Sequence, residues 1–172
     1  MKKTLLLLTL SAISLMAGPA SGKRVASFTL PDATGKYYDV LDYRGKLLLI
    51  DIMKTECGHC QTFTKTLERV KARYGDRINI LSVVNPPDDP KKVADYIAKF
   101  KVSSPILFDV GQATAAMLKI TPQNPSISLP HLLVVDANGI VQKDWPFSEA
   151  DKAIFDGDGL FAILDKMLLT KK

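Results

Sequence analysis

The chain has 172 residues, of which 47% are apolar and 24% charged, with a formal net charge of +5. That balance suits one well-buried domain and excludes a disordered polymer. Two of the positive charges are Lys2 and Lys3, and no dense Lys/Arg run with interleaved aromatics follows, so nucleic acid is not an expected partner.

Residues 1–22 read as an export signal. Met1-Lys2-Lys3 is a basic start, residues 4–17 are almost wholly apolar, and Ala17, Gly18, Ala20, Ser21 and Gly22 form a small-residue zone in which a cut after Ala17, Ala20 or Gly22 fits the pattern. The apolar run is shorter than the ~20 residues of a spanning helix, so membrane association is expected only if the segment stays uncleaved. Residues 23–172 are then the folded domain, in a periplasmic or secreted location. No later stretch is long and apolar enough to span a bilayer.

In the mature part, residues 21–25 read as a linker. Residues 28–32 are extended, 32–36 a turn, and 37–40 a second short strand. The continuous apolar run at residues 47–52 has the pattern of a strand buried on both faces. From Cys60 the period becomes helical: Phe63, Leu67, Val70 and Tyr74 share a face opposite Lys65, Glu68, Arg69 and Lys71, and Gly75 ends the helix. A strand is expected at 78–84, a Pro-rich loop at 85–90, a helix at 91–101 with Val93, Ile97 and Phe100 inward, a short strand at 106–108 and a helix at 112–118. Residues 121–128, with Pro122 and Pro125, are irregular. Two strands at 132–135 and 140–141 flank Asp136-Ala137-Asn138-Gly139, a hairpin with Asn-Gly in its turn. A last helix covers about 159–169. Alternating strands and helices make a single α/β domain around a central sheet.

The two cysteines of the chain are Cys57 and Cys60, in Cys57-Gly58-His59-Cys60. A disulfide between them closes a very small loop and hardly constrains the unfolded chain, so the pair points to chemistry. It lies between a buried strand and the first turn of a helix. The positive end of the helix and its unpaired N–H groups favour an anion there, and the thiolate is the nucleophile in disulfide exchange. Cys57 is then the exposed attacking sulfur and Cys60, one turn in, the resolving thiol. His59 offers a charge or an N–H to the Cys57 thiolate, which makes the disulfide more oxidising; its bland alternative is a solvent-exposed imidazole.

With these residues in place, the chain resembles the thioredoxin-like family, most closely its exported, membrane-anchored or periplasmic TlpA/ResA-like branch and the related redoxins. Phe28-Thr29-Leu30-Pro31-Asp32 and Asp42-Tyr43-Arg44-Gly45-Lys46 before the apolar strand look like that branch's opening. Cys57-Gly58-His59-Cys60 is similar to the active sites of protein disulfide isomerase domains. The resemblance spans about residues 28–141. It implies a thioredoxin-like α/β fold, a central mixed sheet flanked by helices with an N-terminal β extension, and a redox disulfide between Cys57 and Cys60. It implies a monomer acting on protein thiols and disulfides with an upstream redox partner, and no cofactor. Asp51, six residues before Cys57, falls where thioredoxins hold a buried acid. Desolvation there raises a carboxyl pKa, and the group can take the Cys60 proton through water; the alternative is a strand-end carboxylate reaching solvent. Leu129-Pro130 matches the cis-proline that faces the cysteines. His131, which follows, is structural or substrate-facing.

Glu56 departs from the Trp that often precedes the first cysteine, and its carboxylate opposes a Cys57 thiolate. Three other functions use the same residues. A redoxin-type peroxidase wants Pro-x-x-x-Thr-x-x-Cys, but Ile50 and Lys54 stand at the Pro and Thr positions. A copper-binding assembly factor would use Cys57, Cys60 and His131, since thiolates suit Cu(I). A structural zinc site needs four ligands, usually from two such pairs. The direction of electron flow is left open, because Glu56 and His59 act on the thiolate in opposite senses.

Overall fold

The computed structural model describes residues 18–169. Its spine is β3 (Leu47–Met53), in which all seven residues are buried. A run with no polar side except Asp51 needs cover on both faces, and the chain supplies it. β3 pairs in parallel with β4 (Ile78–Val84), and β4 in parallel with β5 (Ile106–Phe108). On its other edge β3 pairs antiparallel with β6 (His131–Val135), which turns back into β7 (Val141–Pro146). The order β5-β4-β3-β6-β7 is a mixed five-stranded sheet. A separate two-stranded extension, β1 (Thr29–Pro31) with β2 (Tyr37–Asp39), precedes it. This is the thioredoxin-like fold.

Side-chain alternation sorts the core into two faces. On one, Leu47, Leu49, Leu132 and Val134 pack with Phe63, Leu67, Val70 and Tyr74 of α1 (Gly58–Tyr74) and with Leu160 and Leu164 of the C-terminal helix Asp158–Leu169. On the other, Leu48, Ile50, Ile52, Leu133 and Val135 meet Phe28, Val40 and the helix Gln112–Leu118. A third cluster sits at the carboxyl ends of β3 and β4, where Met53, Cys60 and Val84 join Val93 and Tyr96 of α2 (Pro90–Phe100).

Most expected elements stand within two residues of their places. The second extended piece stops at Asp39, and Val40 begins a short 3-10 turn that Asp39 caps through the Leu41 N–H. β7 runs to Pro146, five residues beyond expectation, with a bulge at Val134/Val135. A short helix, Lys152–Asp156, precedes the last one.

The expected linker at 21–25 differs more from the structure. Ala20 is buried in the core, and its N–H donates to Asp144 Oδ2 at 2.7 Å. The Gly22 N–H donates to the Val141 carbonyl, and the Val141 N–H to that of Lys23. A Cβ on Gly18 would lie 2.3 Å from the Asp144 carboxyl carbon, so only glycine fits so close. The folded body therefore includes residues 18–22, because the small residues that suit a processing zone also suit close packing over a buried carboxylate. Residues 1–17 lie outside the described residues. Among the described residues no helix is long and apolar enough to cross a membrane.

A protein beginning at Lys23 is expected to be about 1–3 kcal/mol less stable than one beginning at Gly18, since the buried Asp144 oxygen loses its donor. Urea unfolding of the two proteins measures this, and equal midpoints would contradict the packing of residues 18–22.

Candidate active site

Cys57 is the junction between β3 and α1. Its backbone is extended (φ −82°, ψ 117°), it is the N-cap of α1, and its Sγ accepts the Cys60 N–H at 3.3 Å. A sulfur thus stands where a Ser or Asp oxygen usually takes up an orphan N–H of the first turn. Cys57 is half-buried, whereas Cys60 is fully buried against Met53, Val84 and Tyr96. Both thiols are free. The Cys57 S–H points to the Leu129 carbonyl at 3.8 Å, and the Leu129–Pro130 bond is cis. The fold therefore sets the expected proline loop directly against the first sulfur.

Asp51 is fully buried in β3, and neither carboxylate oxygen has a hydrogen-bond partner. It does not reach solvent as a strand-end group would. Desolvation alone pushes its pKa up to about 8. Burial also pushes the Cys60 thiol up strongly, with further increments from the Asp51 charge and from Cys57. The two groups thus feel each other across the buried end of the strand. Either charge alone is costly there, so a proton lost by one is favoured to reside on the other.

His59 is exposed, and its ring stacks on Phe147 with centroids 4.1 Å apart and planes at 26°. Among the described residues the Cys57 sulfur has the Cys60 N–H and the Leu129 carbonyl as partners, and His59 makes no hydrogen bond to it. Gly58 opens α1, with nothing within 4 Å of where a Cβ would stand. Glu56 is exposed and pairs with Lys92 of α2 at 2.9 Å, so the charge expected to oppose a thiolate has a counter-ion.

Of the two expectations for His131, the structural one holds and the substrate-facing one does not. It is 4% exposed, so it does not face substrate. Its β3 partner is Ile52, on the opposite sheet face from Cys60, and its Nε2 meets Asp144 Oδ1 at 2.6 Å. No group of three Cys, His, Asp or Glu side chains suited to a metal forms among the described residues. The structure thus does not bring His131 to the two cysteines, as the copper set would need.

The AhpC/TSA family model matches residues 21–144. The chain belongs to the AhpC/TSA family. Relatives include the thioredoxin-like protein YneN of Bacillus subtilis, 22% identical over 73% of this chain and 71% of that protein. The thiol-disulfide oxidoreductase ResA of Geobacillus thermodenitrificans is 25% identical over 72% and 68%. Among solved structures, a thiol:disulfide interchange protein from Bacteroides sp. superposes with a TM-score of 0.70 at 19% identity, covering 89% of this chain and 93% of its own. The thioredoxin domain of the thiol-disulfide oxidoreductase BVU-2223 from Bacteroides vulgatus gives 0.68 at 19%, covering 86% and 97%. These structures share the fold.

Within this AhpC/TSA-family site, sequence reasoning missed three partners. Phe147 lies one residue past β7, Lys92 is 36 residues from Glu56, and Asp144 lies in the extension of β7 beyond residue 141. Asp88 was also missed. It accepts the Thr55 N–H and hydroxyl, which holds the segment before Cys57 to the 85–89 loop. None of these carried a local signal: Asp144 lies three residues from the inward Val141, out of strict alternation because of the bulge at Val134/Val135.

The buried acid has a consequence for stability. Between about pH 4 and about pH 8 the folded chain keeps a proton on Asp51 that the unfolded chain has released. Its contribution is full below about pH 4 and is lost as the pH rises through the folded value. Relative to Asp51→Asn, the wild type should lose roughly 3–5 kcal/mol between pH 4 and pH 9 in urea unfolding. A difference that does not vary with pH would contradict a neutral buried acid.

Proposed function

We propose that this protein is a thiol–disulfide oxidoreductase acting on exported proteins, with Cys57 as the attacking sulfur and Cys60 as the resolving one. The observation that carries the reading is the asymmetry of the pair. Cys57 is partly open, caps a helix and lies against the cis Leu129–Pro130 bond, while Cys60 is sealed beneath it beside Asp51. The relatives' names point the same way.

In the reducing direction the Cys57 thiolate attacks one sulfur of a substrate disulfide. A Cys57–substrate disulfide forms and the second substrate sulfur leaves as a thiolate, to be protonated by solvent. Cys60 then gives up its proton and attacks Cys57 Sγ. The mixed disulfide breaks, the Cys57–Cys60 disulfide forms, and the substrate departs as a dithiol with two electrons and two protons. Asp51, when ionised, is the proton acceptor for Cys60. Leu129 and Pro130 present backbone to the substrate chain. The reverse sequence donates a disulfide, and an upstream redox partner resets the pair.

Residues 1–17 serve as the export signal. A cut between Ala17 and Gly18 suits the fold best of the three positions, because it leaves Ala20 in place on Asp144. The family's peroxidase chemistry is less well supported here, since Ile50 and Lys54 occupy the positions where the peroxidase motif has Pro and Thr.

Reduction of an insulin-type disulfide by wild type, Cys57→Ser and Cys60→Ser tests the assignment. Cys57→Ser should be inactive, at least a hundredfold down on the order of a lost nucleophile. Cys60→Ser should accumulate a mixed disulfide at Cys57, visible by intact mass. Turnover by Cys57→Ser equal to wild type would overturn the proposal.

A further inference from the structure

We infer that Phe147 is a positioning residue that sets the redox equilibrium of the cysteine pair by holding His59. This rests on the exchange proposed for Cys57 and Cys60. Phe147 touches both walls of the site. Its backbone N–H donates to the Pro130 carbonyl at 3.0 Å, and its ring lies on the His59 imidazole. Behind it, the ring packs at 5.3 Å on Phe155, which meets Phe63 edge-on at 5.0 Å. Phe155 and Phe63 are fully buried, and Phe63 lies one helical turn after His59 on α1. The exposed histidine of the motif is thereby tied through three rings back to the core beneath its own helix.

An exposed imidazole on a helix N-terminus otherwise samples several rotamers. The stack selects one and keeps the ring, with its dipole or charge, in the first turn that carries Cys57. The electron-rich face of Phe147 also attracts a cationic imidazole. Both effects favour a charge partner for a Cys57 thiolate, which exists only in the reduced pair. Losing the ring should therefore shift the pair toward the disulfide.

The test is the equilibrium constant of the Cys57–Cys60 pair against reduced and oxidised glutathione, where two glutathione thiols and the protein disulfide exchange with the protein dithiol and oxidised glutathione. Phe147→Leu keeps apolar volume on Phe155 but removes the stack, and Phe147→Ala removes both. Each should move the constant toward the disulfide about three- to tenfold, as expected for losing one ring pair. Phe147→Tyr should stay near wild type, and in a His59→Ala background neither substitution should add a further shift. A constant unchanged in Phe147→Leu and Phe147→Ala would overturn the inference. So would the same shift with His59 absent, which is what a merely structural role produces. A wild-type pair that never equilibrates with glutathione would overturn the exchange reading itself, and the inference with it.

Discussion

The site depends on one contact, the Cys57 sulfur taking the cap position of α1. A helix that begins directly after a buried strand has N–H groups with no carbonyl to reach. Here the Cys60 N–H is satisfied by the sulfur at 3.3 Å. The capping contact orients the sulfur, keeps it half-exposed, and puts the second cysteine one turn below, where the helix turns inward. The same contact thus serves folding and chemistry.

Burial of β3 supplies the other half. Its seven buried residues include one acid, and a lone carboxyl in such a strand is tolerated because it stays protonated. That makes Asp51 a proton site rather than a fixed charge, next to a thiol which burial also keeps protonated. On the opposite face, the sheet carries a second buried acid that is handled differently. Asp144 is satisfied on both oxygens, by His131 and by the Ala20 N–H. Two acids in one sheet thus have separate uses: one left unpartnered near the sulfurs, the other fully bonded to fix the N-terminal segment beneath the strand that follows Pro130.

The α/β fold and the cysteine pair were legible because their signals are local. The run at 47–52, the helical period from Phe63 to Tyr74, and the Asn-Gly hairpin each depend on neighbours in the chain. Asp51 as a buried acid and Leu129-Pro130 as the proline facing the cysteines were both legible by resemblance. Long-range partners were not. Nothing near Glu56 announces Lys92, and nothing near His59 announces Phe147. Residues 18–22 suit a processing zone and also pack closely over Asp144, because small residues serve both, and composition alone does not reveal the packing. Whether His131 was structural or substrate-facing stayed open in the sequence, because the face it takes, away from Cys60, is set by the Ile52 register and not by its own neighbours.

The central claim is that the two cysteines are chemically unequal. The most direct measurement is timed alkylation of the reduced wild-type protein with iodoacetamide at neutral pH, followed by peptide mass mapping. Labelling should fall on Cys57 first, with Cys60 protected until the protein is unfolded. Equal labelling of both, or labelling of Cys60 first, would contradict the account.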